Sequence, residues 1–155
     1  MKTIQGLYQS TLRFDTFLNE WGGALLSLAL RLYLGWVFLK SGLTKIRDWD
    51  STLALFRDEY QTPLLSPEVA AVMGTMGELT LPLLLFVGLL SRPAALGMFF
   101  INLMAVISYP QLFTFDCPAA INDHRYWGIL LLALVVFGPG RLSLDSLIGR
   151  RGQRR

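Results

Sequence analysis

The sequence predicts an all-α fold: an integral membrane four-helix bundle, antiparallel, with an amphipathic segment between spans one and two. Three observations carry that expectation. Of 155 residues, 53% are hydrophobic and only 16% charged, and the mean hydropathy is +0.46, too apolar for a water-soluble chain of this length. The apolar residues collect in stretches able to cover a ~30 Å hydrocarbon core, which takes about 20 helical residues. The basic residues are spread unevenly over the connections, as they are in proteins oriented in a membrane. The chain reads as one membrane domain over residues 1–155.

Residues 1–20 mix Ile4, Leu7, Leu12, Phe14, Phe17 and Leu18 with Lys2, Arg13, Asp15 and Glu20. That pattern suits a short helix in the membrane interface. No small-residue cleavage site follows a short apolar core, so the first span is expected to act as its own insertion signal. Span one, residues 22–44, carries Arg31 near its middle and Lys40 near its far end. A cation at mid-depth costs roughly 2.5–3.5 kcal/mol on insertion scales, so Arg31 needs a partner within the protein. Arg31, Gly35, Phe38, Gly42 and Lys45 recur at helical spacing and share one face. The glycines on that stripe admit a neighbouring helix.

Residues 45–67 form the longest polar connection. A short amphipathic helix is predicted between Trp49 and Tyr60, capped by Asp50, with both aromatic residues at headgroup level. Span two, residues 67–90, starts at Ser66-Pro67-Glu68, a cap followed by a first-turn proline. Glu78 falls near its midpoint, Gly74 and Gly77 precede it, and Pro82 is expected to kink the helix mildly. A turn at Arg92 leads at once into span three, residues 94–113, whose one strongly polar mid-span residue is Asn102 and whose end is marked by Pro110. Span four, residues 119–138, reaches spanning length only if Asp123, His124 and Arg125 lie in its early turns. Gly138, Pro139 and Gly140 end it, and a basic tail, 141–155, follows.

Four spans place Lys2, Arg13, Arg92, Arg141, Arg150, Arg151, Arg154 and Arg155 on one side, against Lys45, Arg47, Arg57 and Arg125 on the other. This predicts a multi-pass protein of a bacterial inner membrane with both termini cytoplasmic. Five of the fourteen basic residues lie in the tail. Such a tail after a hydrophobic segment marks a cytoplasmic face, and with no recognition motif present, nucleic acid is not an expected partner. At similar depths in adjacent antiparallel helices, Arg31 and Glu78 are expected to form an ion pair. Lys40, Lys45, Asp123, His124 and Arg125 would gather at the outward mouth of the same site.

The segments RLYLGWVFLKSGLTKI, GELTLPLLLFVGLLSRPAALGMFFINLMAV and WGILLLALVVFGPGRLSLD resemble the DoxX family of small four-helix bacterial inner-membrane proteins, over roughly residues 22–146. That resemblance implies the fold and a membrane location. It also implies association with membrane redox systems: one related subunit belongs to a thiosulfate:quinone oxidoreductase, another relative assists maturation of a periplasmic dehydrogenase, and others partner stress-response or metal-handling proteins. With a single cysteine, Cys117, the chain lacks the paired cysteines of some redox relatives, and no thiol chemistry of its own is expected.

The functional expectation is therefore a membrane subunit of a redox or quinone-linked system, embedded in the lipid bilayer, working with a protein partner of a redox or stress-response system and open to homo-oligomerisation. Arg31 and Glu78 are the candidate catalytic residues, because a cation and a carboxylate near mid-membrane can hydrogen-bond a quinone and exchange a proton with it. Arg31, Lys40, Lys45, Glu78, Asn102 and His124 are the candidate cofactor-binding residues. The alternative is a non-enzymatic anchor, or a module handling a small solute or metal. Cys117 with His124 and Asp123 offers usable metal ligands but no second histidine. Met73, Met76, Met98 and Met104 could line a copper(I) path, but core packing is the expected role of these residues. Trp36, Phe38, Phe99, Phe100, Tyr109, Phe113, Tyr126 and Trp127 could clamp a quinone ring or serve in interface belts and packing. No phosphate loop, Walker lysine or HExxH pattern is present.

Overall fold

The computed structural model describes residues 9, 11–12, 14–114 and 119–152. Within them the apolar stretches are helices: α1 (Gly23–Arg47), α3 (Pro67–Val87), α4 (Ser91–Ser108) and α5 (Ala119–Phe137), with α2 (Trp49–Asp58) after α1 and α6 (Leu144–Gly152) after α5. The four longest are each long and apolar enough to cross a membrane. A π-helical turn, Leu18–Gly22, leads into α1, and a 3₁₀ turn, Pro110–Phe113, follows α4. Half of the N-terminal interfacial segment, and the end of the basic tail, lie outside the described residues.

The expected starts and stops hold with local shifts, each with a physical reason. Ser66 caps α3, its side chain accepting from the Val69 amide, and Pro67 opens the helix. The cap of α2 is Asp48, which accepts from the Ser51 amide at 3.0 Å, rather than Asp50. α3 passes through Pro82 and stops at Val87, because Gly88 adopts φ 70°. A side chain there would collide with Ser143 and with the Arg31 guanidinium. α4 begins earlier than expected, at Ser91, directly from the turn. Its end also differs: Tyr109, held extended before Pro110, terminates α4, and residues 110–113 form the separate 3₁₀ turn.

The helices pack as a ring, most closely α1 on α3 and α4 on α5, with α3 on α4 between them and a lighter α1–α5 contact. Leu34, Phe38, Leu85, Ala94, Ala95, Met98, Leu131 and Leu134 fill the centre. Large apolar side chains also cover the outside: Ile129 and Val136 are 65% and 67% exposed. In water such a surface invites aggregation; in hydrocarbon it is the solvent-facing side. A smaller cluster of Phe56, Ala70 and Ala71, with Trp49, Leu53 and Tyr60 against it, holds α2 onto the start of α3.

Register between α1 and α3 corrects one expectation. Gly42 is the contact point: a Cβ there would lie 3.0 Å from Glu78 Cβ. With Gly42 against Glu78, Arg31 falls three turns away, roughly 16 Å along the axis at 1.5 Å per residue. The Arg31–Glu78 ion pair does not form. α1 runs three residues past the expected end at 44, and that extension brings Lys45, not Arg31, to the carboxylate.

Arg31 is fully buried and works at the opposite end. Its guanidinium donates to the Leu85 carbonyl at 3.1 Å and to the Leu142 carbonyl. The first of these carbonyls lies in the last turn of α3, where intrahelical donors run out. Asp145 completes the lock by accepting from the Leu90 and Ser91 amides at 2.8 and 2.9 Å, at the start of α4. Its own amide donates to the Gly88 carbonyl at 2.9 Å. Burial opposes ionisation of Asp145, yet the two backbone amides and the nearby Arg31 charge outweigh it and hold the carboxyl below its ordinary range.

A carboxylate with a depressed folded-state pKa contributes stability above the unfolded value, and that contribution is lost as pH falls through the folded value. Thermal unfolding in detergent across an acid series is therefore expected to show a falling Tm below about pH 4, the ordinary aspartate range. Asp145→Asn should lower Tm at neutral pH and flatten that acid limb. Superimposable limbs for the two proteins would contradict the capping role.

Candidate functional site

Two turns of α1 and the middle of α3 build the core of the site. Lys45 donates to both oxygens of Glu78, at 2.9 and 2.7 Å, and to the Ser41 hydroxyl oxygen one turn earlier, at 2.8 Å. The two side chains are 16% and 10% exposed, so the pair is largely withdrawn from solvent. Desolvating two charges costs several kcal/mol each, and the arrangement survives because every ammonium proton has an acceptor. It follows that Lys45 has no spare N–H. The remaining lone pairs of Glu78 are what the pair can offer to a ligand.

The pair borders a cavity of about 420 Å³ walled by α1, α4, α5 and the ends of the connections, a size typical of small-molecule sites. Across it, Asn102 of α4 donates its amide to the His124 carbonyl at 2.9 Å and accepts from His124 Nδ1 at 2.8 Å. An amide whose nitrogen is committed to a carbonyl must present its oxygen to the ring, so Nδ1 carries the proton and Nε2 is an acceptor. Trp127 stands edge-on to His124 at 5.0 Å and to Phe38 at 6.2 Å, and it donates to the Tyr33 hydroxyl at 3.3 Å. Tyr60 reaches the cavity from the connection after α2. Burial, and then the Glu78 charge, push its phenol above the ordinary range, so it remains a protonated donor.

Comparison with known proteins joins this geometry to a lineage. The DoxX family model matches residues 26–111, more than half of the chain. The chain belongs to the DoxX family. Lys45, Glu78 and Asn102 fall within the matched residues, and His124 lies beyond them. An uncharacterized protein of Haemophilus influenzae is 31% identical over 136 residues, covering 82% of this chain and 85% of that protein. No solved structure matches the chain. Family membership and the four spanning helices together make this a multi-pass membrane protein.

In this DoxX protein Lys45, Glu78, Asn102 and His124 come together around one cavity. Arg31 lines no part of it and belongs to the lock at the other end. Lys40 is exposed, at the edge of an adjoining open groove that also touches Ser41 and Lys45. Asp123 and Arg125 point outward from α5. Cys117 lies outside the described residues, so the Cys117–His124 metal reading has no placed geometry. The four methionines do not form one path: Met73 and Met104 border a common cavity, Met76 is 60% exposed, and Met98 is buried in the core. Of the aromatic candidates, Phe38, Tyr109 and Trp127 line the cavity, whereas Trp36 and Tyr126 face outward. Ser41 and Tyr60 join the site without having been singled out for it. Ser41 was legible as the residue one helical turn before Lys45; Tyr60 arrives through a connection whose path no periodicity fixes.

Removing one member of a buried pair strands the other charge, at a cost of about 3–5 kcal/mol, whereas replacing both by apolar residues is often near neutral. Lys45→Met should therefore lower stability strongly, and Lys45→Met combined with Glu78→Leu should recover most of the loss in a double-mutant cycle followed by thermal unfolding. Additive losses would contradict direct pairing.

Proposed function

We propose that this DoxX protein is the membrane subunit of a quinone-linked redox system in a bacterial inner membrane, with both termini cytoplasmic, and that Glu78 and His124 form the head-group site. One observation carries the reading: a largely desolvated Lys45–Glu78 pair, every ammonium proton of which is hydrogen-bonded, faces a cavity of about 420 Å³ that His124 also lines. The excess of basic residues on the terminal side supports the orientation.

The site is richer in acceptors than in donors. Glu78 keeps free lone pairs, and His124 offers Nε2 because Asn102 holds its other nitrogen. Those groups suit the two hydroxyls of a quinol. A quinol releases two electrons and two protons on becoming a quinone, and the reverse step takes them back. Glu78 and His124 accept or return the protons; the electrons pass to or from a redox cofactor of a partner protein. Asn102 orients the imidazole, and Lys45 offsets the Glu78 charge when the carboxylate is unprotonated. Tyr60 supplies a donor for a ring carbonyl.

Extraction into native nanodiscs should yield protein with bound quinone, read by absorbance after solvent extraction. His124→Gln and Glu78→Gln should each weaken binding of added ubiquinol, the reduced form whose hydroxyls these acceptors receive, by at least about ten-fold, the worth of one hydrogen bond to a charged or strongly polar partner. Correctly folded wild-type protein that neither retains nor binds quinone would overturn the reading.

A further inference from the structure

The Lys45–Glu78 pair borders a second cavity, of about 230 Å³, which shares Lys45, Tyr60, Glu78, Ile101 and Ala105 with the first. Its other walls come from α2, α3 and α4: Phe56, Ala70, Met73, Gly74, Phe100 and Met104 are among them. Apart from the shared polar end, the lining is mostly apolar. Met73 and Phe100 at its outer edge are 59% and 54% exposed. Both belong to spanning helices, Met73 about 9 Å from the start of α3 at 1.5 Å per residue and Phe100 midway along α4. The exposed edge of the cavity thus includes the outer faces of α3 and α4, two helices long and apolar enough to cross a membrane.

We propose that this second cavity is a lateral channel for the hydrocarbon tail of the ligand whose head sits at Glu78 and His124, so that the ligand enters from the bilayer between α3 and α4 and its tail remains there; the proposal rests on the quinone reading of the head-group site. The two cavities meet at the pair, which puts a chamber carrying Asn102 and His124 and a more apolar chamber side by side, the division found within a tailed quinone itself. Hydrocarbon gains little on moving from lipid tails into an apolar protein channel, since both are equally apolar. The channel consequently governs access and direction more than affinity.

Gly74 supplies the test, because a Cβ at that position would meet only Phe56 Cζ, at 3.9 Å. A leucine there extends into the channel without entering the head-group chamber, which Gly74 does not line. In nanodiscs, Gly74→Leu should reduce binding of a decyl-tailed ubiquinone by at least about ten-fold while changing that of the tailless head group by less than about two-fold. Equal effects on both ligands, or no effect on the tailed one, would overturn the channel. A second measurement needs neither the variant nor a quinone: a fatty alcohol carrying a terminal diazirine, photolysed with the wild type, should label Met104 and Phe56. Absence of that label would overturn the channel, whereas labelling without binding of either ubiquinone would retain the channel and reject the quinone reading.

Discussion

A lysine and a glutamate withdrawn from solvent inside a membrane bundle persist only when their partners are fixed around them, and the Lys45–Glu78 pair meets that condition through α1. Ser41 takes the third ammonium proton, and Gly42 removes the side chain that would hold α3 away. The same glycine sets the register of the two helices, so the position of the pair and the position of Arg31 are one geometric fact. Moving α1 by a turn would bring a different residue to Glu78 and would separate Arg31 from the end of α3. Buried charge here specifies an arrangement more than it adds stability.

The two ends of the bundle treat their polar groups in opposite ways. At the end containing Gly88 and Leu90, Arg31 and Asp145 spend their hydrogen bonds on backbone groups at the end of α3 and the start of α4. The Ser27 hydroxyl adds a bond to the Gly138 carbonyl at 3.0 Å, tying the chain after α5 to α1. At the other end, side chains bond to side chains around open space: Lys45 with Glu78, and Asn102 with His124. The first arrangement closes a structure, and the second leaves lone pairs and a cavity available for chemistry. One end is thus rigidly locked, and the functional candidates sit at the other.

The spans, the cap of α3 and the presence of the α2 segment were legible because their signals are local: apolar length, Ser66-Pro67, and the Gly138-Pro139-Gly140 stop. Family membership was legible from the α1 stripe and the Glu78 region together. The partner of Glu78 was not. Placing Arg31 and Glu78 at matching depth assumed that the two spans align at their midpoints, whereas Gly42, beyond the middle of span one, packs on Glu78, and that stagger is a tertiary feature a single chain's pattern does not contain. Lys45 looked like a boundary charge because it follows the apolar run, yet its buried carboxylate partner draws the helix onward. Asp145 carried no signal beyond a polar residue in the tail, since its role depends on the chain folding back against Leu90 and Ser91. Asn102 was visible as an isolated polar residue in span three, while its bond to His124 required knowing how α4 faces α5.

The central claim is that the Glu78 carboxylate beside Lys45 is in contact with the ligand head group. Infrared difference spectroscopy on nanodisc-embedded protein reads that contact most directly. Addition of the tailless quinol should shift a carboxylate stretching band in the wild type, and that band should be missing from the difference spectrum of Glu78→Gln. A wild-type spectrum in which quinol binds with every carboxylate band unmoved would contradict the claim.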